Sequence, residues 1–202
     1  MISAESLFAK YLEDHNLSYG RDFLVIPGNV DFRIFFQQGA VLADTKEVRD
    51  SPREANGKIT AEIQIRDDIK KLRKKFGNGQ VEPVLLVTVN ASSSFFTGLT
   101  VARALFGEIG TSGQALTEAH HLERGNAAFN STNNTIVSGL LLLTDSPNAP
   151  VGFLFKNPWA IVEISSKIFP DVIEVDHNRG VQGLNLIDLS KIMIWPIGGG
   201  TI

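Results

Sequence analysis

The stretch Ala40-Val41-Leu42-Ala43-Asp44-Thr45-Lys46-Glu47-Val48 opens as an apolar strand and ends in charge. Residues two apart on a strand share a face, so Asp44 and Lys46 project together. The run just before it, Val30–Phe36, also reads as a strand, and Gln37-Gln38-Gly39 is a tight connection between the two. A hairpin is predicted. If it turns through Gln37-Gln38, Phe36 faces Gly39 and Asp31 stands opposite Asp44, with Cβ atoms about 4.5–5.5 Å apart on one face. A three-residue turn puts the two acids on opposite faces unless a bulge restores the register.

Outward from the hairpin, Ser3 reads as the N-cap of a helix to about Asn16, with Leu7, Phe8, Tyr11 and Leu12 on its apolar stripe. Ser18–Ile26 reads as a turn and a short strand, broken by Pro27-Gly28. Beyond the hairpin, residues 49–58 are a polar loop, and a helix is predicted over about Thr60–Phe76. Ile65, Ile69, Leu72 and Phe76 line one side of that helix; six cations between Arg66 and Lys75 populate the rest. Val84–Val89 reads as a strand buried on both faces. A helix over Phe95–Phe106, a polar helical stretch near Gly113–Glu123, and strands at Thr135–Leu143 and Val151–Phe155 follow. A turn near Pro158 and a strand at Ile192–Trp195 complete the series. This order predicts an α/β fold: one domain over residues 1–202, with a mixed central β-sheet flanked by helices.

Composition narrows the function classes. The chain has 202 residues, no cysteine and a formal net charge of −3. Disulfides and thiolate metal sites are therefore excluded, and the default expectation is a cytoplasmic protein. No whole-molecule basic field draws in nucleic acid, so such binding must come from a local patch. The N-terminus carries Glu5 and Lys10, unlike a secretory signal, and apolar runs such as Val137–Leu143 are too short to cross a bilayer. No membrane partner is expected.

An acid two residues before a lysine is a common pattern. Asp68-Ile69-Lys70 has it too, on the basic helix, where it reads as a solvated face. The hairpin pair differs because Asp31 joins it. Two neighbouring carboxylates repel, and a divalent cation relieves the conflict; Mg2+ is commonly held by one or two carboxylates with water and phosphate completing the shell. Lys46 can then orient a metal-bound water or stabilise charge as phosphorus is attacked. The plainer alternative is a salt bridge between Asp44 and Lys46 at a sheet edge, worth little if exposed.

With Val30-Asp31 and Asp44-Thr45-Lys46 in this arrangement, the chain resembles the PD-(D/E)XK nuclease superfamily, which has a restriction-endonuclease-like core. That core is a helix, a three-strand meander carrying the acids, a second helix and a further strand, and the resemblance covers about residues 1–90. Val30 stands where the family name has proline. The resemblance implies a nuclease that uses Mg2+ (or Mn2+) to hydrolyse phosphodiester bonds, with DNA the expected partner. Asp31, Asp44 and the Thr45 carbonyl would hold metal, and Lys46 would act on the attacking water. Glu5 on the first helix would complete the acidic cluster, with Glu13 in reserve. Gln64 or Arg66 on the second helix would face the site, and cations such as Lys70 would contact phosphates. Residues 91–202 would extend the sheet or supply a homodimer or substrate surface. The alternative is a nuclease-fold binding or assembly module without turnover; a third reading is an enzyme of some other phosphorylated substrate.

Three further features carry plainer explanations. Asn90–Thr97 follows a strand and opens a helix, where N–H groups can hold an anion, but a capped loop is the simpler reading. His120 and His121 are adjacent and so diverge on a helix, which argues against a shared zinc. Gly198-Gly199-Gly200 lacks the strand-to-helix setting of a phosphate loop.

Overall fold

Ser3 caps the first helix, α1 (Ala4–Asp14): its Oγ accepts from the Ser6 N–H at 3.1 Å. Leu7, Phe8, Tyr11 and Leu12 are buried along one stripe of it. An antiparallel meander follows: β1 (Ser18–Val25), β2 (Gly28–Phe36) and β3 (Gly39–Val48). Helix α2 (Ala61–Lys75) then returns the chain so that β4 (Val84–Asn90) pairs with β3 in parallel. Every residue of β4 is buried, as its unbroken apolar run predicts for a central strand. The computed structural model describes residues 3–25, 28–37, 39–50, 61–76, 80–107, 127–145, 152–176, 180–181, 189 and 192–197.

The sheet continues past β4 through β6 (Val137–Leu143), β7 (Gly152–Lys156), β8 (Val172–Asp176) and β9 (Gly180–Val181). Among the described residues its eight strands lie in the order β1-β2-β3-β4-β6-β7-β8-β9, with parallel pairs β3/β4, β4/β6 and β7/β8 and antiparallel pairs elsewhere. The fold is thus α/β with a mixed central sheet. One face packs Phe32, Ile34, Val41, Ala43, Leu85 and Val87 against α1. The other packs Leu42, Val84, Leu86 and Leu140 against α2 and α3 (Gly98–Phe106). Alternation along β3 therefore assigns Asp44 and Lys46 to the α2 side, and Thr45 and Glu47 to the α1 side.

Two local departures have clear causes. The helix expected from Phe95 starts later, because Phe96–Thr97 forms a short strand, β5, paired with β10 (Met193–Ile194). Thr97 then caps α3, its hydroxyl accepting from the Thr100 N–H. The 3-10 turn Ser166–Ile168 and strand β8 have no counterpart in the sequence-based order. There Glu174 interrupts a four-residue apolar run and Lys156 of β7 pairs with it, a contact between strands that a local pattern does not carry. The expected helix over 113–123 with His120 and His121, most of the 49–58 loop, the turn residues 146–148 and the 198–200 glycines lie outside the described residues.

Candidate active site

The hairpin turns with Phe36 paired to Gly39, the register that sets Asp31 against Asp44. The ladder, however, ends at Phe32–Ala43. The Leu42 N–H bonds the Pro83 carbonyl across toward β4, so alternation points the N–H and carbonyl of Thr45 toward β2. A continued ladder would offer Thr45 the Val30 backbone. Instead the Asp31 carboxylate accepts from both the Thr45 N–H and the Thr45 hydroxyl, each at 2.7 Å. Asp31 thus lies in the seam between β2 and β3.

The irregularity extends across β2. Val30 packs with the α2-side core while Phe32 packs with the α1-side core, although residues two apart on a regular strand share a face. On β1, Asp22 adopts a left-handed φ of 51°, and the Asp22–Asp31 pair is missing from an otherwise continuous register. Beyond the end of the ladder the Thr45 carbonyl accepts from the Lys46 ammonium.

Asp44 is 3% exposed and gripped by two ammoniums. Lys75, the last residue of α2, meets Oδ1 at 2.5 Å, and Lys46 meets Oδ2 at 2.9 Å. The Lys46 ammonium also donates to the Thr45 carbonyl at 2.9 Å. Two oxygens expected to bind metal, Asp44 Oδ2 and Thr45 O, therefore converge on one cation.

Burial pulls the Lys46 pKa down, but the hydrogen bond and charge of Asp44, then the charges of Asp31 and Asp68, outweigh it and leave the group above its ordinary value of 10.5. At neutral pH Lys46 is an ammonium. It can donate hydrogen bonds and stabilise negative charge, whereas a neutral-amine base is disfavoured.

Beside this cluster, a shallow cleft of about 240 Å3 is lined by Glu5, Thr45, Lys46 and Arg49 among others. Glu5 is exposed on its rim. Among the described residues no group of three or more His, Cys, Asp or Glu side chains is placed to hold one metal ion. Glu13, near the far end of α1, instead accepts from the Tyr19 hydroxyl at 2.7 Å. Gln64 pairs its amide with the backbone of Arg49, pinning the chain where it leaves β3. Arg66 bonds Glu62 and the Ala104 and Arg103 carbonyls, tying α2 to α3. Lys70 is exposed and pairs loosely with Asp67 at 3.5 Å.

Three residues outside the expected set shape the site. Asp68 belongs to a pattern that reads as a solvated face, yet it is buried and acts electrostatically on Lys46, with Lys71 on its Oδ1 at 2.8 Å. Lys75 clamps Asp44. Glu47 accepts from the Ala4 N–H at 2.9 Å, fixing the N-terminus of α1 against β3. A signal for the first two exists: residues 65, 68, 69, 72 and 75 recur at helical spacing, so Asp68 and Lys75 fall along the apolar stripe.

No family model matches the chain, and neither a curated protein nor a solved structure matches it. The chemistry of the site is therefore argued from its own geometry.

Proposed function

We propose that the chain is a Mg2+-dependent (or Mn2+-dependent) nuclease of the PD-(D/E)XK type, hydrolysing phosphodiester bonds, with DNA as substrate. The observation that carries this reading is the convergence of Asp44 Oδ2 and the Thr45 carbonyl on the Lys46 ammonium, 2.9 Å from each, where β2 parts from β3. On this reading a divalent ion would take these two oxygens over from Lys46, whose ammonium would then turn to water or phosphate. One or two carboxylates suffice for Mg2+ when water and phosphate fill the remaining positions, so the donor set fits. The order α1-β1-β2-β3-α2-β4, with β3 and β4 parallel, adds support because it follows the element order of that nuclease core.

Asp44 and the Thr45 carbonyl would hold the ion, with Asp31 beside them in the seam. When bound, the ion supplies positive charge to the phosphoryl oxygens and makes a bound water more acidic. Asp31 holds the Thr45 backbone in place through two hydrogen bonds. Lys46, kept cationic by its neighbours, orients the attacking water and stabilises charge developing on phosphate. Glu5 and Arg49 line the cleft through which substrate would approach.

A second reading has its own support: both Asp44 oxygens are already satisfied by lysines, as a purely structural charge cluster would have them. That favours a binding module without turnover. Incubation with linear, circular and single-stranded DNA and with RNA, in Mg2+ or Mn2+, separates the two when Asp44→Ala and Lys46→Ala proteins are run beside the wild type. The nuclease reading expects cleavage that both substitutions abolish. Cleavage that survives both would place the activity elsewhere, and no cleavage together with no metal affinity would favour the binding module.

A further inference from the structure

We infer that Phe95 and Trp195 form a stacking platform for an unpaired nucleobase, so that the nucleic acid this chain engages is single-stranded. The inference rests on the nucleic-acid reading above and specifies the form of that substrate. The two side chains are each 50% exposed, with ring centroids 5.5 Å apart and planes tilted by 51°. They come from distant segments joined by the antiparallel β5/β10 pair. One fully buried side chain sets both. The Asn90 amide donates to the Ser94 carbonyl at 2.9 Å and to the Ile194 carbonyl at 2.7 Å, the residues immediately before the two rings. Its Oδ1 accepts from the Ser92 N–H and the Ser92 hydroxyl. The whole hydrogen-bonding capacity of that amide is thus spent on holding the segments that carry the rings.

Place and chemistry choose the occupant. Strands β3, β4 and β6 run parallel, and open α/β sheets bind ligands beyond the carboxyl ends of such strands. Asn90 ends β4 there, and the Asp50 carboxylate, just past the end of β3, accepts from the Ser93 N–H at 2.6 Å. That bond ties the loop leading to Phe95 to the strand end whose Lys46 and Arg49 line the cleft. Aromatic faces together with cations suit a single strand, whose bases stack while its phosphates meet the positive charge. A base inside a duplex has both faces covered by its neighbours and offers no ring to the pair. Ser92, Ser93 and Ser94 precede Phe95, so the apolar surface is confined to two half-exposed rings. A stable protein partner covers about 800 Å2 per side, far more than such a pair supplies.

The test is fluorescence anisotropy of the full chain with a labelled oligothymidylate, its duplex with oligoadenylate, and an abasic oligomer of the same length, all in EDTA so that no cutting is needed. Wild type should bind the single strand about tenfold or more tightly than either of the others. Phe95→Ala and Trp195→Ala should each weaken single-strand binding about fivefold or more and leave duplex binding unchanged, while Trp195→Phe should retain most of it. The single strand should also quench Trp195 emission, a signal that Trp195→Phe removes although Trp159 remains. Equal affinity of wild type for the abasic oligomer and the oligothymidylate overturns the inference, a result that does not depend on any variant folding. Unchanged single-strand binding in both alanine variants overturns it too, as does a wild-type dimer that Trp195→Ala dissociates, which would give the rings to a second copy. Single-strand binding lost in the alanine variants, but with no cutting by wild type in Mg2+ or Mn2+, would support the platform and overturn the nuclease reading alone. Cutting without preference for single strands in binding would do the reverse.

Discussion

Asp31 occupies the place of a strand neighbour, accepting from the Thr45 N–H and hydroxyl at 2.7 Å each. Asp31→Ala leaves that buried backbone donor without its acceptor, a loss of about 1–3 kcal/mol. Urea unfolding should show the midpoint fall, and Asp31→Asn, which retains an acceptor oxygen, should lose less. Lys46 makes a different prediction. Its pKa is raised in the folded chain, so its stabilising contribution is complete below the unfolded value near 10.5 and is lost as pH climbs through the higher folded value. The stability difference between wild type and Lys46→Met should therefore hold constant from neutral pH to about 10 and shrink only above that. A difference that shrinks already near neutrality would mean that Lys46 is not held as an ammonium. At this scale the sequence is informative about Asp44 and Lys46, because period-two alternation is enough to put them on one face. The seam position of Asp31 is not legible, since it goes with an irregular register against the neighbouring strand β1 that no period-two pattern carries.

At the scale of elements, α2 shows how a charge pattern can mislead. Six cations in ten residues suggest a solvated face, and Lys70 conforms, exposed and loosely paired. Lys75 and Asp68 instead lie where the apolar stripe meets β3, and their roles emerge only once the helix is docked on the sheet. The strand pair β6/β7 depends on a different local feature. A Cβ placed on Gly139 would come within 2.8 Å of the Phe155 carbonyl oxygen, a backbone atom that cannot swing aside. Gly139→Ala should force the two strands apart and destabilise the fold by about 1–3 kcal/mol, measured as a lowered denaturation midpoint. An unchanged midpoint would show that the β6/β7 contact is looser than this geometry.

Across the whole molecule, one sheet links the meander that carries the acids to the strands beyond residue 136, through the parallel β4/β6 pair. The apolar runs of β4 and β6 made central strands legible in the sequence, whereas β8 gave only a short run interrupted by Glu174. Among the described residues no helix is long and apolar enough to cross a membrane. With a formal net charge of −3, the nuclease reading proposed above requires that attraction for nucleic acid arise locally, and it would assign that part to Lys46 and Arg49 beside the cleft. The most direct test of the whole is the rate at which wild type and Asp44→Asn cut supercoiled circular DNA in Mg2+. Wild type should cut, chelation should stop it, and Asp44→Asn should be slower by about a hundredfold or more. Equal cutting by the two proteins, or none by wild type in either Mg2+ or Mn2+, would contradict the assignment of this site.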